Sequence, residues 1–195
     1  MFEKFEEAVQ ANRDEKIYKH SLALQACLGA LYDYFEEKGL LGPDEPQKED
    51  WLLAGLIHDI DYAEPYKDEH PNHTADALAK YGLSVSDTVI RIVKAHAPSI
   101  SGVEPKSKAE WSIFCCDSLT GLITAVAYVY PSRKLSDVKV SSILKRFHKE
   151  PRFAAGTRRD EIILCEREDS LNLSLETLST ICLTAMQGIA DRLGL

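Results

Sequence analysis

The chain has no basic run: 23 Lys and Arg stand against 31 Asp and Glu in 195 residues, a formal net charge of -8. Without a phosphate-tracking footprint, polymeric DNA or RNA is not an expected partner. It has no CxxC pair and five cysteines, an odd number: Cys27, Cys115, Cys116, Cys165 and Cys182. Neither a disulfide framework nor a cysteine-based zinc site is expected, and the thiols read as reduced core residues in a cytosol. The segment MFEKFEEAVQ lacks the basic start, apolar stretch and cleavage site of a secretory signal, so the expected location is cytoplasmic. No apolar run reaches the roughly 20 residues a bilayer needs. The best candidate, Ile113 to Tyr130, carries Asp117 inside it and reads as a buried core helix, so no membrane is expected as a partner. Alternating strand patterns, internal repeats, low-complexity tracts and flexible linkers are missing as well.

What is present is ordinary globular composition, 45% hydrophobic and 28% charged with 10 Gly and 8 Pro, which excludes disorder and collagen-like structure. Helical signals follow one another with short punctuation, so the expected fold is all-α: a compact single-domain helical bundle over residues 1–195. Asn12 with Glu15 has capping-box spacing before an amphipathic helix to about Lys38, ended by Gly39. A second helix is expected from about Pro46 to Ile60, and a third ends at Tyr81 before Gly82. Ser84 with Asp87 opens a fourth, to about Ala95. After a polar loop, Pro98 to Lys106, the Ser107 and Glu110 pair opens the apolar helix that ends near Pro131. Further helices are expected around 137–148, 157–168 and 174–192.

Metal-ligand residue types sit where a helical core should be apolar: His20, the pair His58-Asp59, His70, His96 and Asp117. His20 lies on the stripe Ile17, His20, Leu24, Cys27, Leu31, and His96 ends the stripe Val85, Val89, Ile92, His96, both with helical spacing. Asp117 sits amid Ile113, Phe114, Leu119 and Leu122, with no Lys or Arg within a helical turn. A lone buried carboxylate loses several kcal/mol of hydration and must find a cation, donors or a proton. A divalent ion shared with the inward histidines satisfies all of them. Consecutive helical residues diverge by about 100°, so His58 and Asp59 converge on one ion more easily where the helix ends, and the loop after Asp61 suggests such an end. Nitrogen and carboxylate donors without thiolate point to one or two divalent metal ions, iron or manganese first, with zinc, cobalt and magnesium behind.

The ordered set His20, His58-Asp59, His70, His96 and Asp117 resembles the HD-domain metal-dependent phosphohydrolase superfamily. The resemblance implies a helical domain of that type, with its metal-site core at about 15–130 and a helical extension at about 131–195. His20, His58, Asp59 and Asp117 would hold one ion. The additional His70 and His96 resemble the dinuclear branch, which includes HD-GYP cyclic-dinucleotide phosphodiesterases and bacterial diadenosine-tetraphosphate hydrolases, and in which Asp59 would bridge two ions. The register HPNHTADAL favours His70 over His73, because the family's histidine usually precedes a small-residue pair by four and five places, here Thr74 and Ala75. The GYP signature is missing, which argues against cyclic-dinucleotide cleavage.

The activity implied is hydrolysis of a small phosphate ester or nucleotide by metal-activated hydroxide. Two divalent ions with four neutral imidazoles and two carboxylates leave a local charge of about +2, suited to a phosphate anion. Asp59, Asp61 and Lys94 are the candidate catalytic residues, and Arg91, Arg158 and Arg159 the candidate phosphate contacts. Each of these cations also reads as solvent-exposed charge, and Asp61 reads equally as a helix-end residue or as the orienter of a ligand histidine. His73 and His148 read as surface residues, Cys115 and Cys116 as core, and Trp51, Trp111 and Tyr62 as packing, with Tyr62 near enough to line a pocket. The alternatives are a diiron oxygenase, since the same ligand set resembles inositol-oxygenase-type enzymes, and a non-catalytic metal or nucleotide binder. A small phosphorylated molecule is the expected partner, and a homodimer is left open.

Overall fold

The charged amino-terminal segment forms a helix of its own, α1 (Phe2–Ala11), in a computed structural model that describes residues 2–11 and 14–195. It turns Phe5, Ala8 and Val9 into the core, the three-and-four spacing of one helical face. Helix α2 (Glu15–Glu37) follows. The expected cap Asn12 lies outside the described residues; the cap is Asp14, whose carboxylate accepts from the backbone N–H groups of Lys16 at 2.9 Å and Ile17 at 3.3 Å. Leu24, Cys27, Leu28, Leu31 and Phe35 are fully buried along α2. The helix stops where Gly39 takes a φ of 64° and the Leu40 N–H returns to the Phe35 carbonyl at 2.9 Å.

Helix α3 (Lys48–Ile57) crosses α2 closely at Gly55, where an added Cβ would lie 2.9 Å from the backbone N and Cα of Gln25. The short α4 (Thr74–Ala79) precedes α5 (Asp87–Lys94). The expected opening of α5 at Ser84 is corrected: Ser86 stands directly before the helix, and its hydroxyl accepts the Val89 N–H at 3.3 Å. Part of the expected loop after Pro98 is a helical turn, α6 (Pro98–Ser101), closed by Gly102 at a φ of 71°. Helix α7 (Lys108–Val129) carries both halves of the Ser107–Glu110 capping box. By length and composition it is the one helix among the described residues able to cross a membrane, but it is mostly buried and forms the centre of the core.

The carboxy-terminal helices are shorter than their hydrophobic patterns suggest. A 3₁₀ turn at Leu135–Asp137 delays α8 to Val140–Lys149, and α9 (Arg159–Ile162) passes at once into a 3₁₀ turn, Ile163–Glu166. The last expected helix is divided into α10 (Leu175–Gly188) and α11 (Ala190–Leu193), with the break just after Gly188, a poor helix former. The fold is all-α, with no strand among the described residues. Helix α2 packs against α3, α7 and α10, while α5 packs against α3 and α7. The four elements α2, α3, α5 and α7 therefore meet around one point in the interior.

Candidate metal centre

All six candidate ligands lie at that point. His20 projects from α2 and Asp117 from the middle of α7, their Nε2 and Oδ1 atoms 2.8 Å apart. Helix α3 ends at Ile57, and the chain tightens into i to i+3 bonds, Ile60 N–H to Ile57 carbonyl and Tyr62 N–H to Asp59 carbonyl, both 2.9 Å. This departure from the helix lets adjacent residues aim at one place: His58 Nε2 lies 3.1 Å from His20 Nε2 and 3.2 Å from Asp59 Oδ2. On the other side of the same carboxylate, Asp59 Oδ1 lies 3.1 Å from His70 Nε2, which in turn lies 2.9 Å from His96 Nε2. Asp59 thus offers one oxygen to the His20–His58 pair and the other to the His70–His96 pair.

The outer nitrogens fix the tautomers. His58 Nδ1 donates to the Gly55 carbonyl at 2.9 Å and His96 Nδ1 to the Val93 carbonyl at 2.5 Å, each three residues back. His70 Nδ1 donates to Asp61 Oδ1 at 2.6 Å. The Thr120 hydroxyl spends its proton on the Asp117 carbonyl at 2.8 Å, so it accepts from His20 Nδ1 at 3.1 Å. All four Nε2 atoms are then left as lone pairs, and two pairs of them face each other at close range. Such an arrangement needs a positive charge between the nitrogens. Two imidazoles on one ion, each with a bond of about 2.1 Å, stand about 3 Å apart at octahedral angles, so this donor set fits divalent cations.

Without cations the groups charge one another. Burial would raise the Asp59 and Asp117 carboxyls, but the adjacent histidines hold both well below the usual carboxylate range. Burial would lower His70, but Asp59 and Asp61 raise it to about 9. His20 moves up in the same sense, with Asp117 and Asp59 outweighing burial. His96 is lowered to about 4 by burial and then by His58. A bound cation would displace such protons.

The other candidates are placed as follows. Asp61 is buried with its second oxygen accepting the His73 backbone N–H at 2.9 Å, so it holds His70 in orientation and does not face the open side. Replacing it by asparagine, which keeps the volume and removes the charge, should weaken binding of a divalent ion at the His70–His96 pair by about 10–100-fold; titration of wild type and Asp61→Asn with Mn(II) reads the change. His73 lies away from the cluster, stacked on Tyr66 and paired with Asp76. Arg158 reaches Asp117 Oδ2 at 2.5 Å and pairs with Glu161. Its neighbour Arg159 turns away and donates to the Phe153 carbonyl at 2.6 Å. Arg91 is engaged by the buried Glu110 at 2.7 Å, and the Lys94 ammonium makes no hydrogen bond or ion pair among the described residues. Thr120, one turn beyond Asp117, is a positioning residue that sequence reasoning missed, although its i+3 spacing from Asp117 was a usable signal.

The cluster is buried at one end and open at the other. His58 is fully buried, whereas the His20 side chain is 24% exposed. A cleft of about 340 Å³ meets the open end, lined by His20, Asp117, Ser118 and the segment 154–158 that carries Arg158. The family model described as HD domain matches residues 17–122, more than half of the chain and all six candidate ligands. No curated protein and no solved structure matches significantly. The chain belongs to the HD-domain family, a superfamily of metal-dependent hydrolases.

Proposed function

We propose that the protein hydrolyses a small phosphate ester or nucleotide with two divalent metal ions bound to its histidines and carboxylates. The observation that carries this reading is the Asp59 carboxylate, which presents Oδ2 to His20 and His58 and Oδ1 to His70 and His96. Divalent ions held there would polarise phosphoryl oxygens and acidify a water for in-line attack. The chain's own residues do the rest. Arg158, at the open end beside Asp117, offers a guanidinium to a phosphate oxygen. Asp61, Thr120 and the carbonyls of Gly55 and Val93 hold the four imidazoles with Nε2 forward. The burial of His58, His70 and His96 keeps bulk water from the inner side. Five free, buried thiols fit a reducing compartment such as the cytosol.

Elemental analysis of freshly isolated protein, followed by a phosphate-release screen with Mn, Fe, Co, Mg and Zn, tests the proposal. The expected result is about two divalent ions per chain and metal-dependent release of inorganic phosphate. Protein that holds metal but releases no phosphate, while consuming oxygen with a polyol or phosphonate, would replace this reading with the diiron oxygenase.

A further inference from the structure

Glycine stands at position 121 in the interior of α7, where it weakens a helix relative to alanine. Packing does not account for it. A Cβ there would meet no atom within 4 Å, and the residue is exposed. Gly121 shares one helical face with Asp117, Thr124 and Tyr128, at spacings of four, three and four. Two clefts meet over it. The first is the 340 Å³ cleft beside Asp117 and Arg158; the second, of about 490 Å³, continues along α7, and both are lined by His20 and Gly121. The second cleft has mainly apolar walls from Thr124, Tyr128, Leu193 and Leu195, and Lys16 and the Glu15–Lys19 ion pair also line it. Tyr128 is 54% exposed, so its ring is free to stack on a flat group.

We infer that this second cleft seats the organic half of the substrate, which is a phosphate ester of a flat, largely apolar aromatic or heteroaromatic alcohol, and that Gly121 is bare to let it cross α7. The inference rests on the phosphohydrolase reading for the position of the phosphate, beside Arg158 and the ligands. From there the ester oxygen points along the face Asp117, Gly121, Thr124, Tyr128. The volume of the cleft is that of a small-molecule site, and its walls reward apolar area that a triose or glycerol ester does not have.

The test compares 1-naphthyl phosphate with glycerol phosphate on metal-loaded wild type, Gly121→Ala and Gly121→Leu. Gly121→Leu should lower kcat/KM for the naphthyl ester by about tenfold or more beyond whatever it costs the glycerol ester. Gly121→Ala, with open space around its methyl, should melt roughly 2–4 °C higher than wild type, which shows that the helix accepts a side chain there. Calorimetric binding of 1-naphthylmethylphosphonate, whose P–C bond is not hydrolysed, supplies a readout independent of turnover. Binding that falls about tenfold in Gly121→Leu while no ester is turned over by wild type would keep the cleft and remove the hydrolase reading. Equal losses for both esters, or unchanged naphthyl kinetics and binding in Gly121→Leu, would overturn the inference.

Discussion

Asp59→Ala is expected to lose both bound ions and at least about 10³-fold in phosphate-releasing activity, equivalent to about 4 kcal/mol of barrier, while keeping its helical circular dichroism. The reason is the division of one carboxylate between two clusters. Oδ2 stands 3.2 Å from His58 Nε2, and Oδ1 stands 3.1 Å from His70 Nε2. Removing it leaves two pairs of imidazoles with facing lone pairs and the anion shared by both gone, so neither cluster keeps its charge balance. Asp117 still serves the His20 side, with Oδ1 2.8 Å from His20 Nε2 and 3.8 Å from His58 Nε2. His96→Ala is the contrasting variant. It removes one nitrogen from the inner cluster alone, so one ion per chain should be lost and the other retained. Metal content by elemental analysis separates the two results. An Asp59→Ala protein that still carries two ions and releases phosphate would reject the bridging arrangement. The helical core should survive because Trp51, Leu56 and Ile57, which anchor α3, do not depend on the carboxylate.

Much of this arrangement was legible in the sequence for one physical reason: polar groups on apolar stripes need partners, and these histidines and acids can serve one another through a shared cation. His20 and His96 continue hydrophobic helical spacings, and Asp117 sits in the most apolar helix of the chain, so their inward direction followed from periodicity. A helix end near this pair was expected as well, from the need for neighbouring residues to converge, but at about Ile60 before the loop after Asp61; the helix stops three residues earlier, at Ile57. What was not legible depends on tertiary contact or on the backbone. The carbonyls of Gly55 and Val93 that orient His58 and His96 are carried by every residue type, so no pattern marks them. Arg91 was indistinguishable from a phosphate contact until Glu110, 19 residues away, was seen to claim it. Arg158 and Arg159 are adjacent and identical, yet one reaches Asp117 and the other the Phe153 carbonyl, because the loop before α9 sets their directions. The cap of α5 failed in the same way, although the Ser107–Glu110 box of α7 stands where it was expected. Ser86 won over Ser84 by standing nearer the first free amides, a difference of two residues that spacing does not resolve.

Gly55→Ala should destabilise the protein by about 2–3 kcal/mol, lowering the melting temperature by roughly 5–10 °C, and should also weaken the ion held by His20 and His58. The new methyl would sit 2.9 Å from both the N and the Cα of Gln25 and 3.1 Å from Leu28 Cδ1. The Leu28 tip can rotate, but the Gln25 backbone belongs to α2 and cannot, so the two helices must part by several tenths of an ångström. That movement reaches the site directly. Helix α2 carries His20, and the Gly55 carbonyl accepts from His58 Nδ1, so separation acts on the two Nε2 atoms now 3.1 Å apart. Gly29→Ala is the control on the same interface. Its methyl would meet Leu52 Cδ2 at 2.8 Å, the far end of a flexible side chain, and a change of rotamer relieves the clash without moving a helix. Thermal melts with and without Mn(II) separate the effects. Gly55→Ala should lose both intrinsic stability and part of the increase in melting temperature that the metal confers, whereas Gly29→Ala should keep that increase. If Gly55→Ala melts with wild type in both conditions, the α2–α3 crossing is looser than this geometry requires, and the spacing of His20 and His58 is set elsewhere.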